Sequence, residues 1–354
     1  MHRAGRALGP ALRNRRIHNR AVVWTLRVIP FVVIFLAAWE IYIRNFVFDS
    51  LYRDTVCNQI VRNFGSRPRR MFVPNCHVSV RSYDGTYYDI DTNEDGFRDR
   101  SAAEYHEGAI ALVGDSHAEG FALPIEQSLG RQLEARGGGV LPKKILNTGY
   151  RGLGPTEEAL MLGDATAQYK IDGVIWILTE NDVLDEVYWN RRSLQDWSVL
   201  GNYILQRVST YVFGHRYVTA EYLRVVLNAI AMHHADANHY TTEYLAQALC
   251  NGVRSAVPYV EKGVPIVIYA IPHGAPKDDL DYFGVHLDHK AYQQAFPCMG
   301  QNPIRVVDQR AFYGSLKPYY IPDQYHLNAE GTRLWADEIV RDLRSAHVPW
   351  RRGY

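Results

Sequence analysis

The stretch "GAIALVGDSHAEGFAL" (residues 108–123) decides how the chain is read. Ile110 to Val113 form a short apolar strand that runs up to Gly114. Gly114, Asp115, Ser116 and His117 follow at once, and a helical pattern begins downstream. A strand that feeds a polar turn and then a helix is a unit of a parallel sheet. The turn then lies at the carboxyl edge, where sites gather. Ser116 at a helix start has two readings, a cap for unsatisfied N–H groups or a nucleophile. The G-x-S-x-G elbow is not present, because Ala118 stands at its last position.

Working outward, apolar strands alternate with helices. "KKILNTG" is a second strand, "IDGVIWILTEND" a third, "VPIVIYAIP" (264–272) a fourth and "IRVVD" (304–308) a fifth. Between and after them, helical spacing runs through "PIEQSLGRQLEARGG" and "GPTEEALMLGDATAQYK", the latter with Pro155 near its start. It returns in "TTEYLAQALCNGVRSAVPYVEKG" and in "NAEGTRLWADEIVRDLRSA", where Asn328 is the candidate N-cap. The alternation predicts a parallel sheet covered on both faces. An insertion at about 183–240 carries Tyr188, Trp189, Trp197, Tyr203 and Tyr211. It either shapes a cleft or packs as a subdomain.

The N-terminal region reads differently. Residues 1–20 hold Arg3, Arg6, Arg13, Arg15, Arg16 and Arg20 and no acid, a basic cytoplasmic tail. "AVVWTLRVIPFVVIFLAAWEIYI" (21–43) is long enough to cross a bilayer as a helix. The arginine-rich flank stays inside, so the rest of the chain is expected in the periplasm or outside the cell. "LAAWE" is a poor cleavage site, which favours an uncleaved anchor. Residues 44–107 read as a linker and a small β-rich segment. Within it, 44–70 are polar linker, "HVSVRSYDGTYYDI" alternates around the turn pair Asp84-Gly85, and "DTNEDGFRDR" is a loop. Cys57, Cys76, Cys250 and Cys298 all follow the anchor. They allow three pairings, of which Cys57–Cys76 with Cys250–Cys298 is preferred.

A formal net charge of +1 without a basic stripe argues against a general nucleic-acid binder. The 24 tyrosines suit sugars and amphipathic ligands, and equally ordinary core. No cysteine–histidine spacing suggests zinc, and His233, His234 and His239 read as solvated helix histidines. No metal or organic cofactor is expected.

A serine hydroxyl needs a base, and an imidazole needs a carboxylate to fix its tautomer. "IPDQYHLNAEG" (321–331) offers both in one loop, with Asp323 three residues before His326. Acyl transfer also needs donors for a developing oxyanion. Gly152, after the second strand, offers an unshielded N–H, and Asn181, after the third, offers a side-chain amide. Each residue alone has a commoner structural role as cap or turn.

In chain order these pieces resemble the SGNH/GDSL hydrolase family over about residues 108–345. "GDSH" is similar to its first block, Gly152 in "GYRGLGP" to its second, "END" to its third and "DQYH" to its last. The resemblance implies a flavodoxin-like three-layer α/β/α sandwich over 108–348. It implies Ser116 as nucleophile, His326 as general base and Asp323 as the group that orients it. The oxyanion hole would comprise the Ser116 N–H, the Gly152 N–H and the Asn181 side chain. Gly149 competes with Gly152 for the second block, and Glu180 stands where members often carry glycine. Asp115 is expected to bond nearby backbone, His117 to lie on the rim and His273 to line the cleft. "NEDGFRD" is similar to what precedes the first block in some membrane-associated bacterial members. The expected activity is that of a membrane-anchored serine esterase, with an O-acetyl ester on an envelope or extracellular polysaccharide as substrate. The alternatives are an O-acyltransferase using the same triad on a glycan, and a non-catalytic glycan-binding or assembly protein.

Overall fold

Two small antiparallel ladders precede the main sheet: β1 (Asn58–Val61) with β2 (Arg69–Phe72), and β3 (His77–Arg81) with β4 (Tyr87–Asp91). The computed structural model describes residues 28–36, 38, 57–61, 69–81, 86–141, 143–188, 241–272, 281–282, 285–286, 289–323 and 325–350. In the second ladder Val78 pairs with Ile90 and Val80 with Tyr88, and all four are buried. The expected alternation thus turns one face of this hairpin into the core. The expected linker 44–70 is corrected in part, since β1 and the start of β2 lie within it. The two strands pair with each other, Val61 opposite Arg69, which local polarity does not reveal.

Of the expected membrane span 21–43, residues 28–36 are helical (α1) and exposed. Among the described residues no helix is long and apolar enough to cross a membrane. Most of the span lies outside them. So do the turn pair Asp84-Gly85, the aromatics Trp189, Trp197, Tyr203 and Tyr211, and His233, His234, His239 and His273.

The main sheet contains β5 (Ala109–Gly114), β6 (Lys144–Asn147), β7 (Ile171–Thr179) and β8 (Ile266–Ile271). A two-residue ladder, β9 (Asp281–Tyr282) with β10 (Val285–His286), precedes its last strand, β11 (Ile304–Asp308). All five main strands run parallel in the order β11-β8-β7-β5-β6. Counting main-sheet strands along the chain, this is the flavodoxin order 2-1-3-4-5.

The strands read as continuous apolar runs because both faces are covered. Ala109, Ala111, Val113, Val174, Trp176, Leu178, Ile266 and Ile268 face one core. Against them pack α4 (Pro155–Gln168), α6 (Thr242–Arg254) and α7 (His289–Met299). Ile110, Leu112, Ile175, Ile177, Val267 and Tyr269 face the second core, under α3 (Leu129–Arg136) and α9 (Ala329–Ser345). Three short helices complete the body: α2 (Ser116–Glu119), α5 (Asp182–Tyr188) and α8 (Arg310–Ser315). Each fully buried Ile or Leu contributes roughly 1.5–3 kcal/mol, so the alternating sets lock the register of every strand. The cysteines pair as preferred, Cys57–Cys76 and Cys250–Cys298. The strand order reverses between β5 and β7, so the residues just after these strands flank the switch point.

Candidate active site

Gly114 ends β5 at φ +146°, where a Cβ would lie 2.7 Å from the Ile177 carbonyl oxygen of β7. Glycine therefore lets the chain turn hard against the neighbouring strand. Asp115 caps α2, its Oδ1 accepting the His117 N–H at 3.1 Å. The cap is thus Asp115 and not Ser116, which frees the serine hydroxyl for another partner.

That partner comes from the loop before α9. Asp323 Oδ1 accepts the N–H groups of Tyr325 and His326 at 2.9 and 3.0 Å, which folds the loop on itself. Backbone bonds from Ile321 N to His326 O (2.9 Å) and Asn328 N to Tyr319 O (2.8 Å) tie its two ends together. Asn328 caps α9 as expected, accepting from Gly331 N at 2.9 Å. With the loop so fixed, Asp323 Oδ2 lies 2.6 Å from His326 Nδ1, and His326 Nε2 lies 2.8 Å from Ser116 Oγ. A carboxylate on Nδ1 holds the neutral imidazole with its proton there, leaving Nε2 to accept from the hydroxyl. Ser116 and His326 keep 8 and 9% of their surface exposed, so the pair is largely dry yet open to a ligand.

Asn181 sits just after β7. Its Oδ1 accepts from the Tyr325 hydroxyl at 2.6 Å and lies 2.5 Å from Thr179 Oγ1. The amide nitrogen donates to Asp185 at 2.8 Å and lies 3.4 Å from Asp115 Oδ2. The END block is therefore joined to the histidine loop through Tyr325 and to the nucleophile turn through Asp115.

The second-block loop lies along α2. Tyr150 N donates to Gly114 O at 3.2 Å, and Arg151 N donates to Glu119 Oε2 at 2.8 Å. Gly149 gives its N–H to Asn147 Oδ1 at 2.9 Å, and a Cβ on it would lie 2.4 Å from Glu119 N. Its glycine identity is explained by this close approach. Gly152 adopts φ +64°, the left-handed region that favours glycine. Arg151 forms a buried ion pair with Glu119, through Nε at 3.0 and 3.1 Å and a closer contact from Nη2. Its guanidinium also lies 4.9 Å over the Phe121 ring, whose centroid is 4.6 Å from that of His326.

Behind the switch point lies a second buried group. Burial raises the Asp115 carboxyl above its ordinary range. Burial, with the negative charges of its neighbours, pushes Glu158 and Asp182 well above theirs. Glu158 accepts from Trp176 Nε1 at 2.6 Å, and Asp182 accepts from the Thr179 N–H at 2.6 Å. Asp115 is structural as expected. His117 is corrected: it is buried rather than on the rim, 4.8 Å from the His326 ring and 3.1 Å from the Tyr313 hydroxyl.

Two contributors escaped the sequence reading. Tyr325 lies inside the very loop quoted for Asp323 and His326, and its place between them was the available signal. The Glu119–Arg151 pair spans 32 residues and leaves no local pattern.

On the parallel sheet, Ser116, His326 and Asp323 converge as a hydroxyl–imidazole–carboxylate relay, with Asn181 tied to the same loop through Tyr325. No family model matches the chain, and no curated protein does. Among solved structures it is similar to a carbohydrate acetylesterase from Sinorhizobium meliloti, 16% identical over 67% of this chain and 99% of that one, with a TM-score of 0.40. It is similar to an acetylxylan esterase from Geobacillus stearothermophilus, 15% identical over 68% and 96%, with a TM-score of 0.38. It is also similar to a lipolytic G-D-S-L family member from Veillonella parvula, 13% identical over 66% and 96%, with a TM-score of 0.39.

Proposed function

We propose that the chain is a serine esterase, with Ser116 as nucleophile, His326 as general base and Asp323 as the carboxylate that orients it. The observation that carries this reading is the relay Asp323 Oδ2–His326 Nδ1 at 2.6 Å and His326 Nε2–Ser116 Oγ at 2.8 Å. Ser116 Oγ attacks the ester carbonyl while His326 Nε2 takes its proton. The imidazolium, stabilised by Asp323, then protonates the leaving alcohol. Water attacks the acyl-serine, giving its proton to His326, and the collapse returns the proton to Ser116 Oγ and releases the acid. The oxyanion is received by the N–H groups of Ser116 and Gly152 and by the Asn181 amide. The resemblance assigns the second-block role to Gly152, which turns the loop at φ +64°, while Gly149 donates its N–H to Asn147. Asn181 contributes the N–H that rests at 3.4 Å from Asp115, while the bond to Asp185 holds the amide in place.

The substrate is proposed to be an acylated glycan outside the cytoplasm. Two disulfides support an oxidising compartment, and the arginine-rich flank beside an apolar, exposed helix supports a membrane anchor at residues 21–43. Purified full-length chain in detergent is expected to hydrolyse an aryl acetate, and Ser116→Ala to lose at least about 10⁴-fold in kcat. Absence of hydrolysis in the wild type, or only a few-fold loss in Ser116→Ala, contradicts the reading. Acetate released without any acylated sugar, when a glycan acceptor is added, separates esterase from acyltransferase.

A further inference from the structure

The run "NEDGFRDR" (93–100) lies before the sheet begins, and the reaction sketched above makes no use of it. Its fold is exact in its bonding. Asn93 Oδ1 accepts the N–H groups of Asp95 and Phe97 at 3.1 and 3.0 Å, and Gly96 turns the chain at φ +80°. This turn delivers Arg98 and Asp99 into the interior, where they are 1 and 5% exposed.

The Arg98 guanidinium donates only to backbone carbonyls. Nη1 donates to Glu119 O and Gly120 O at 3.0 and 2.8 Å, and Nη2 to Leu123 O and Asp89 O at 2.6 and 2.8 Å. Three of these acceptors bracket Phe121, whose ring lies 4.6 Å from His326. The bracketed segment includes Ala122 at φ +62°, a left-handed conformation that alanine adopts at a cost and that needs outside support. Asp99 holds the other side. Its Oδ2 accepts Asn147 N at 2.6 Å, and its Oδ1 accepts Arg131 Nη2 at 2.7 Å. Asn147 then bonds Gly149 N through Oδ1 at 2.9 Å and reaches Glu119 O through Nδ2 at 3.3 Å.

We propose that Arg98 and Asp99 are positioning residues of the esterase, one fixing the segment that seats His326 against Phe121 and the other fixing the loop that presents Gly152. The pre-sheet run is thus a working part of the site, although neither side chain touches the reacting atoms. An arginine is needed because only a planar fork of donors reaches four carbonyls at once, and lysine carries the charge without the fork. This rests on the esterase reading for its kinetic consequences, whereas the clamp itself is a statement about backbone order.

The test uses full-length wild type, Arg98→Met, Arg98→Lys and Asp99→Asn, compared with Ile304→Val, a buried core change on β11 away from the clamp. Aryl acetate kinetics, thermal unfolding and hydrogen exchange of residues 118–124 and 147–153 are measured on each below its own melting transition. Arg98→Met is expected to lose about 30-fold in kcat with KM within about twofold, a split that marks loss of transition-state stabilisation. Arg98→Lys is expected to recover less than a third of that loss, and Asp99→Asn to lose about 10-fold. Exchange is expected to quicken at least tenfold in 118–124 for Arg98→Met and in 147–153 for Asp99→Asn, and in neither for Ile304→Val. Unchanged kcat and unchanged local exchange, with only a lower melting temperature, overturn the inference, as does full recovery by lysine. Should an Arg98 variant fail to fold, Asp99→Asn decides by the same two measurements. An inactive wild type whose variants still show the segment-specific exchange refutes the esterase reading and leaves the clamp standing.

Discussion

Two buried walls flank the nucleophile turn, and they hold it by opposite means. On one side, Arg98, Glu119 and Arg151 form a cationic wall whose donors end on carbonyls and on one carboxylate. On the other, Asp115, Glu158, Asp182 and Asp185 form a carboxylate wall around Thr179 and Asn181. Both walls are dry, but the first sets guanidinium groups against carbonyls and one carboxylate, whereas burial raises Asp115, Glu158 and Asp182 in the second above the ordinary carboxyl range. The difference teaches what each wall can do. Fixed ionic donors impose backbone shape on the segments carrying Phe121 and Gly152. Carboxyls raised by burial keep the Asn181 amide in a polar setting with less charge beneath it than free carboxylates would carry.

Substitutions on each wall break the comparison in different ways. Glu119→Gln leaves the buried Arg151 guanidinium without its carboxylate, so denaturant unfolding is expected to lose about 3–5 kcal/mol, the usual cost of breaking a buried pair. Asn181→Ala is expected to lower kcat on an aryl acetate by roughly 10²–10³-fold, the range for one oxyanion donor, with KM nearly unchanged and stability little affected. The carboxylate wall is tested by pH. With Glu158 raised in the fold, the unfolded chain has given up a proton above about pH 4.5 that the native state still holds. Stability therefore falls as pH rises from there, by up to about 1.4 kcal/mol per unit for each retained proton. Glu158→Gln is expected to flatten that fall in unfolding titrations between about pH 5 and 7, and an unchanged slope contradicts a raised Glu158 carboxyl. Tyr325→Phe removes one bond to Asn181, so a loss of about 5- to 10-fold in kcat is expected, near 1 kcal/mol. If it is additive with Asn181→Ala, the two residues are not coupled.

The same contrast explains what was legible in the sequence. The five strands announce themselves because runs such as "IDGVIWILT" are apolar on both faces, and the helices because Pro155 and Asn328 mark their starts. Ser116, Asp323 and His326 were legible because their chemistry confines them to the ends of strands and one loop. Arg98 and Arg151 were not, because a buried arginine bonded to distant backbone looks like any surface arginine in the sequence. His117 was misread for a similar reason: polarity suggested the rim, whereas Tyr313, Tyr325 and Trp335 enclose it. The strand β1 was hidden by the polar residues Asn58 and Gln59 and the basic start of its partner β2, Arg69 and Arg70.

The central claim is that His326 and Asp323 make Ser116 a nucleophile. A serine-directed fluorophosphonate added to the full-length chain, followed by peptide mass mapping, tests it most directly. The account predicts one adduct per chain, on Ser116, absent in Ser116→Ala and slowed at least about 10³-fold in His326→Ala. No adduct on the wild type, or equal labelling of Ser116→Ala, contradicts it.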